Sequence, residues 1–160
     1  MSIGKFRNNV SVSTEFAQLS RDDEAAADLL AERGQLRQAC YFIIQAMEKS
    51  IRAKIFTLVN PNIEYFRDRN RTHSLDSAVE FLIEIISTDN IIQNQVSLQL
   101  KSHVLGNTNY RYLHNNLRYP TYSHKYDTYS TLTVSLSDFT KLKNRLLLLR
   151  VFLNDLHRFI

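Results

Sequence analysis

The chain is poor in residues that break regular structure: 160 residues include three glycines (Gly4, Gly34, Gly106) and two prolines (Pro61, Pro120). An average protein carries roughly 12% of the two together, so turns are few here and the segments between them are long. That points to an all-α domain. Cysteine is nearly absent as well. Cys40 stands alone among apolar residues in a helical pattern, so no disulfide can form within the chain, and a structural zinc site fails on ligand count. No metal and no other cofactor is expected, and a reducing, cytoplasmic compartment is. No stretch approaches the roughly 18 apolar residues that cross a bilayer. Even Leu146–Leu149 is flanked by Arg145 and Arg150. Lys5 and Arg7 lead into polar residues, so no secretory signal is visible and no membrane association is expected.

The most informative absence is of one sign of charge. Between Asp89 and Asp127 there is no carboxylate, yet the stretch holds Lys101, Arg111, Arg118, Lys125, three histidines (His103, His114, His124) and five tyrosines (Tyr110, Tyr112, Tyr119, Tyr122, Tyr126). Cations, imidazoles and aromatic faces without anions suit a polyanion: phosphate oxygens attract Arg and Lys, and bases stack on Tyr. The alternative is a polar, Asn- and Tyr-rich connection that merely lacks acids. The net charge of +4 is modest, which allows a local phosphate site without making a histone-like binder.

What is abundant is apolar periodicity. Residues 1–14 read as a loose arm and 15–160 as one domain. A first helix is predicted over 15–33, ended by Gly34, with the next so close that the two must pair as a hairpin. The second, 35–59, carries Leu36, Cys40, Ile43, Met47, Ile51, Ile55 and Leu58 at steps of three and four and stops at Asn60-Pro61. Residues 60–73 read as a polar loop. Ser74 caps a third helix over 75–87, and a fourth spans 90–105 and ends at Gly106. The segment 107–134 reads as a long ordered loop or broken helix interrupted at Pro120. The last helix opens at Ser135 with Asp138 as a capping-box partner. Its seam is Phe139, Leu142, Leu146, Leu149, Leu153, Leu156 and Ile160, and Leu147, Leu148, Val151 and Phe152 widen the apolar face enough to cover a partner subunit.

Three motifs carry a family resemblance. The second helix has Gly34 to Ala39 as an approach, then Gln45, Glu48, Lys49, Arg52 and Ala53. His73 and Leu75 open the third helix, and Arg118-Tyr119-Pro120 precedes the last. In this order they resemble the HEPN superfamily, helical domains named for nucleotide binding in higher eukaryotes and prokaryotes. The resemblance runs from about Phe16 to the C-terminus. It implies a bundle of four to five helices that pairs as a homodimer. Many members are metal-independent endoribonucleases of toxin–antitoxin and antiviral defence systems. Others are non-catalytic modules that bind nucleotides or accompany a nucleotidyltransferase.

In the nucleases of that family the working motif is Arg, four to six residues, then His. Arg118 and His124, with five residues between them, satisfy it. The chemistry needs this pair: an imidazole titrating near neutrality moves protons, and a guanidinium meets charge gathering on the phosphoryl oxygens. The match departs from the usual pattern, since Tyr119 follows the arginine directly and Pro120 interrupts the helix. Arg67 and His73 have the same spacing and form a competing candidate, a phosphate-binding edge at the start of the third helix. The alternative for that pair is a solvated loop. Arg111, Tyr119 and Lys125 are the further candidate RNA contacts. Implied partners are RNA or a nucleotide, a second copy of the chain, and a nucleotidyltransferase or antitoxin protein. His103 and His114 read as surface or packing residues.

Overall fold

The second apolar stripe becomes the axis of the molecule. In the computed structural model, which describes residues 2–159 (Arg158 and Phe159 by backbone alone), α2 runs Leu36–Leu58 and buries Ala39, Cys40, Ile43, Met47, Ile51 and Ile55. Around it stand α1 (Val12–Glu32), α4 (Leu75–Ile86), α6 (Tyr110–Arg118) and α7 (Leu136–Asp155). The remaining elements are α3 (Glu64–Arg69), α5 (Asn90–Leu98), which continues as a π-helical turn Gln99–Val104, and a 3₁₀ turn Leu156–Phe159 after α7. The only sheet among the described residues is a hairpin of β1 (Thr121–Ser123) and β2 (Thr128–Ser130). The domain is all-α, as the scarcity of turn residues requires.

Local chemistry sets the ends of these helices. Gly34 takes φ 75°, a left-handed conformation that costs glycine little. The N–H of Gln35 then reaches back to the Leu30 carbonyl at 2.8 Å, so α1 turns directly into α2. The two helices meet closely where Ser20 donates to the Ala46 carbonyl at 2.7 Å. Ser74 caps α4 by accepting from the Ser77 N–H at 3.1 Å. Ser135 and Asp138 form the complete capping box of α7. Phe139, Leu142, Leu146, Leu149, Leu153 and Leu156 are buried as one seam, whereas Leu147, Leu148 and Val151 stay exposed. Ile160 lies outside the described residues.

Three expectations are adjusted. Helix α1 starts earlier than expected, because Ser11 caps it through the Thr14 N–H at 3.4 Å. The 60–73 loop contains the short helix α3. The 107–134 segment is neither loop nor merely broken helix. Asn109 caps α6 by accepting from the Tyr112 N–H at 3.0 Å, and Tyr110, Leu113 and Leu117 turn one face of it toward the core. Past Pro120 the chain spells Thr-Tyr-Ser twice, and the two copies pair antiparallel with Tyr122 opposite Tyr129. Asp127, at φ 51°, closes the turn between them, a left-handed position that Asp tolerates better than most residues.

Candidate anion-binding cleft

Helix α6 is two-faced. Opposite its apolar stripe, Arg111, His114, Asn115 and Arg118 recur at i, i+3, i+4 and i+7, which puts them on one side of the helix. That side looks onto Gln45 and Glu48 of α2 and onto His73, Ser74 and Asp76 at the start of α4. Together they line a cleft of about 360 Å³.

Two arginines of α2, one half-buried and one buried, fix its walls. Arg37, in the first turn of α2, donates from Nε to the Leu117 carbonyl at 2.8 Å and from Nη2 to the Asn116 carbonyl at 3.2 Å. A cation thus satisfies the last carbonyls of α6. Arg52 is 1% exposed and donates from Nε to Glu48 at 2.9 Å and from Nη1 to the Asn70 side chain at 3.0 Å. Its Nη2 also reaches the Thr72 carbonyl, so α2 holds the segment that presents His73 and Ser74. Glu48 and Arg52, four residues apart on α2, thus form an ion pair whose side chains are almost wholly buried. Gln45 and Lys49 find separate partners, His114 and Asp23 respectively.

His114 is held from two sides. Its Nε2 lies 2.9 Å from the Gln45 amide nitrogen, and its ring stacks on Tyr41 at 5.0 Å. With the amide donating, the imidazole carries its proton on Nδ1. Burial pushes its pKa below the ordinary histidine value, and the Arg118 guanidinium pushes the same way, with Glu48 opposing. The cleft thus holds an imidazole whose charged form is disfavoured, beside a permanently charged guanidinium.

Among the described residues, no carboxylate pairs with Arg111 or Arg118. Arg118 contacts only neutral groups, the Asn115 side chain at 3.3 Å and the face of Tyr119 at 5.1 Å. Three other cations are engaged. Lys101 pairs with Glu80 across the gap between α4 and the π-helical turn, Arg69 with Glu84, and Arg71 with Asp68. The cleft contains one carboxylate with no such arginine partner, Asp76 in the first turn of α4, where the helix dipole favours it.

The candidate residues thus separate into two groups. Arg111, Arg118 and His73 line the cleft; Arg67, Tyr119, His124 and Lys125 do not. Arg67 is exposed in the last turn of α3. Between Arg118 and His124 the chain runs extended, through Tyr119 (φ −132°, ψ 145°) and then β1, so the motif is drawn out along a strand instead of gathered on a helix. His124 sits exposed in the hairpin turn, its ring edge-on to Tyr122 at 5.0 Å. Lys125 lies over the Tyr126 ring at 5.1 Å. Tyr110 is a core residue, its hydroxyl donating to the Leu105 carbonyl at 2.8 Å. The cleft also draws in Gln45, from the motif of the second helix, and His114 and Asn115, which the motifs alone do not mark. The signal for His114 and Asn115 is the polar i, i+3, i+4, i+7 stripe of α6.

Among the described residues no group of three or more His, Cys, Asp or Glu side chains converges as metal ligands do, and no helix is long and apolar enough to cross a membrane. No curated protein and no solved structure matches the chain. The family model for the HEPN domain matches residues 15–130. That span takes in the α1–α2 hairpin, the buried Glu48–Arg52 pair, the cleft and the tyrosine hairpin, and the chain belongs to the HEPN domain family.

Proposed function

We propose that the protein binds RNA by its phosphodiester backbone in the cleft between α2, α4 and α6, and acts as a homodimer in a toxin–antitoxin or antiviral setting. One observation carries this reading: Arg111 and Arg118 are set on one helix face without carboxylate partners, beside His73, His114 and the N-terminus of α4. An unpaired guanidinium offers parallel N–H donors to phosphate oxygens, and the free N–H groups of a helix start add to them. The exposed patch Leu147, Leu148 and Val151 on α7 supports pairing with a second copy.

The chemistry this reading carries is cleavage without a metal. The ribose 2′-oxygen attacks its own phosphorus and the 5′-oxygen leaves. A histidine accepts the 2′ proton and returns one to the leaving oxygen. Arg118 stabilises the charge on the non-bridging oxygens, and His124 transfers protons. His124 and Lys125 lie exposed on the hairpin, free to meet the cleft of the partner subunit in a homodimer.

The test is cleavage of RNA in the presence of chelator. The expected products end in a 2′,3′-cyclic phosphate and a 5′-hydroxyl, and His124→Ala abolishes them with the fold intact. Arg118→Ala lowers both binding and rate, because the guanidinium meets phosphate before and during the reaction. Cleavage retained in the His124 variant shifts the proton role to His73. Wild-type protein that binds nucleotide but cleaves no RNA supports the other reading, a non-catalytic module that binds a nucleotide or accompanies a nucleotidyltransferase. A monomer by sedimentation at micromolar concentration removes the two-copy site.

A further inference from the structure

The hairpin beyond α6 carries an aromatic face that is not part of the lining of its own subunit's cleft. Tyr122 and Tyr129 are direct cross-strand partners, so their side chains share one face, with rings 5.5 Å apart and at 75° to each other. His124, two residues after Tyr122, adds a third ring 5.0 Å away. These rings are not core: Tyr122 is 40% and Tyr129 68% exposed, and neither strand contributes a residue to the hydrophobic core. A cross-strand aromatic pair helps hold a short hairpin together. Holding it together does not by itself explain why so much of the two rings is left in water.

The surroundings select the occupant. Residues 121–130 contain no aliphatic side chain, so the apolar surface they offer is the flat face of aromatic rings. Cations bracket the first strand along the chain, Arg118 over the Tyr119 ring before it and Lys125 over the Tyr126 ring in the turn. The hairpin's one carboxylate, Asp127, is engaged by the Tyr122 hydroxyl and occupied in closing the turn. The base of the hairpin is tied to α6, where Thr121 bonds the side chain of the buried Asn116, whose amide donates to the Tyr112 carbonyl at 2.8 Å. The aromatic face therefore starts three residues past Pro120's neighbour Tyr119, next to the arginine that lines the cleft, and follows from it along the chain.

We infer that the Tyr122–Tyr129–His124 face is a stacking platform for unpaired bases, and that the substrate of the adjoining cleft is single-stranded RNA. The inference rests on the reading of the cleft as an RNA phosphate site. A single strand offers base faces to aromatic rings while its backbone follows the cations; a duplex hides those faces within its own stack.

The test uses fluorescence anisotropy with a 12-nucleotide 2′-O-methyl oligouridylate, which cannot be cleaved by internal attack, and with a 2′-O-methyl duplex. Wild-type protein is compared with Y122V/Y129V, Y122F/Y129F and R111Q/R118Q. Valine keeps the strand preference and removes the ring, and an unchanged thermal melt checks that the domain is intact. The valine pair is expected to bind the single strand about tenfold or more weakly, the phenylalanine pair like wild type, and duplex binding to be the same for all three. Unchanged single-strand binding by the valine pair, or an equal loss on the duplex, overturns the platform. If the arginine pair alone loses binding, the cleft stands and the platform falls. If the tyrosine pair alone loses it, the platform stands and the cleft reading falls. Wild-type protein that binds neither probe overturns both.

Discussion

Helices α2 and α6 each carry two arginines, and the same guanidinium meets opposite circumstances on the two. Arg37 and Arg52 are consumed by the fold: one satisfies the carbonyls that end α6, the other neutralises buried Glu48 and holds the segment before α4. Arg111 and Arg118 bond no carboxylate and no backbone carbonyl among the described residues; a neighbouring asparagine and a tyrosine ring are all that Arg118 meets. The difference teaches that formal charge says little about a binding surface. Two or three bonds to the protein's own oxygens turn an arginine into a structural residue, whereas a cation left without an anion is available to a ligand.

The largest effect expected from breaking this comparison is at Arg52. Arg52→Met leaves Glu48, only 5% exposed, as a buried charge without a partner, and should lower stability by about 3–5 kcal/mol in urea denaturation. Adding Glu48→Gln should recover part of that loss. A cost near zero would mean that the pair does not hold the walls of the cleft. Arg37→Ala comes next. It strips the last carbonyls of α6 of their donor, and a cost of about 1–3 kcal/mol is expected in the same assay.

Arg111→Gln and Arg118→Gln are the other side of the comparison. Each should change stability by less than about 0.5 kcal/mol, since surface residues outside a network rarely matter more. A large loss from either would show that α6 uses its arginines as α2 does.

The smallest effect, and the sharpest on geometry, concerns His114. Its folded-state pKa lies below the ordinary histidine value through burial and the Arg118 charge. A base with a lowered pKa binds fewer protons folded than unfolded. Its contribution to stability is therefore full above the unfolded pKa, about 6.5, and is lost as pH falls below it. The slope of stability against pH below 6.5 should flatten in His114→Gln. Arg118→Gln should raise the His114 pKa, as read from imidazole proton shifts by NMR. An unmoved pKa would mean that the guanidinium does not face the ring.

Much of this frame was legible in the sequence because it depends on local pattern. The apolar steps of α2 and α7, the glycine turn after α1 and the caps at Ser74 and Ser135 are each decided by residues within a few positions. The hairpin was not, because two three-residue strands are too short to show periodicity; the repeated Thr-Tyr-Ser on either side of Asp127 was the available sign. The cleft was legible only in part. The acid-free run contains Arg111 and Arg118, which line the cleft, but it counts neighbours along the chain, and Lys101 meets Glu80 from a different helix. His114 looked like a packing residue. It is one, through Tyr41 and Gln45, and it also faces the cleft.

The central claim is that phosphate is held by Arg111 and Arg118 and not by the arginines of α2. The measurement that tests it most directly is the slope of log affinity against log salt for the uncleavable single strand. Each phosphate contact on a single strand contributes about −0.7 to that slope. The account predicts that R111Q/R118Q makes the slope shallower by about 1.4, while Arg37→Ala, at a temperature where it is folded, leaves it unchanged. An unaltered slope in the α6 pair, or a shallower one in the Arg37 variant, would contradict it.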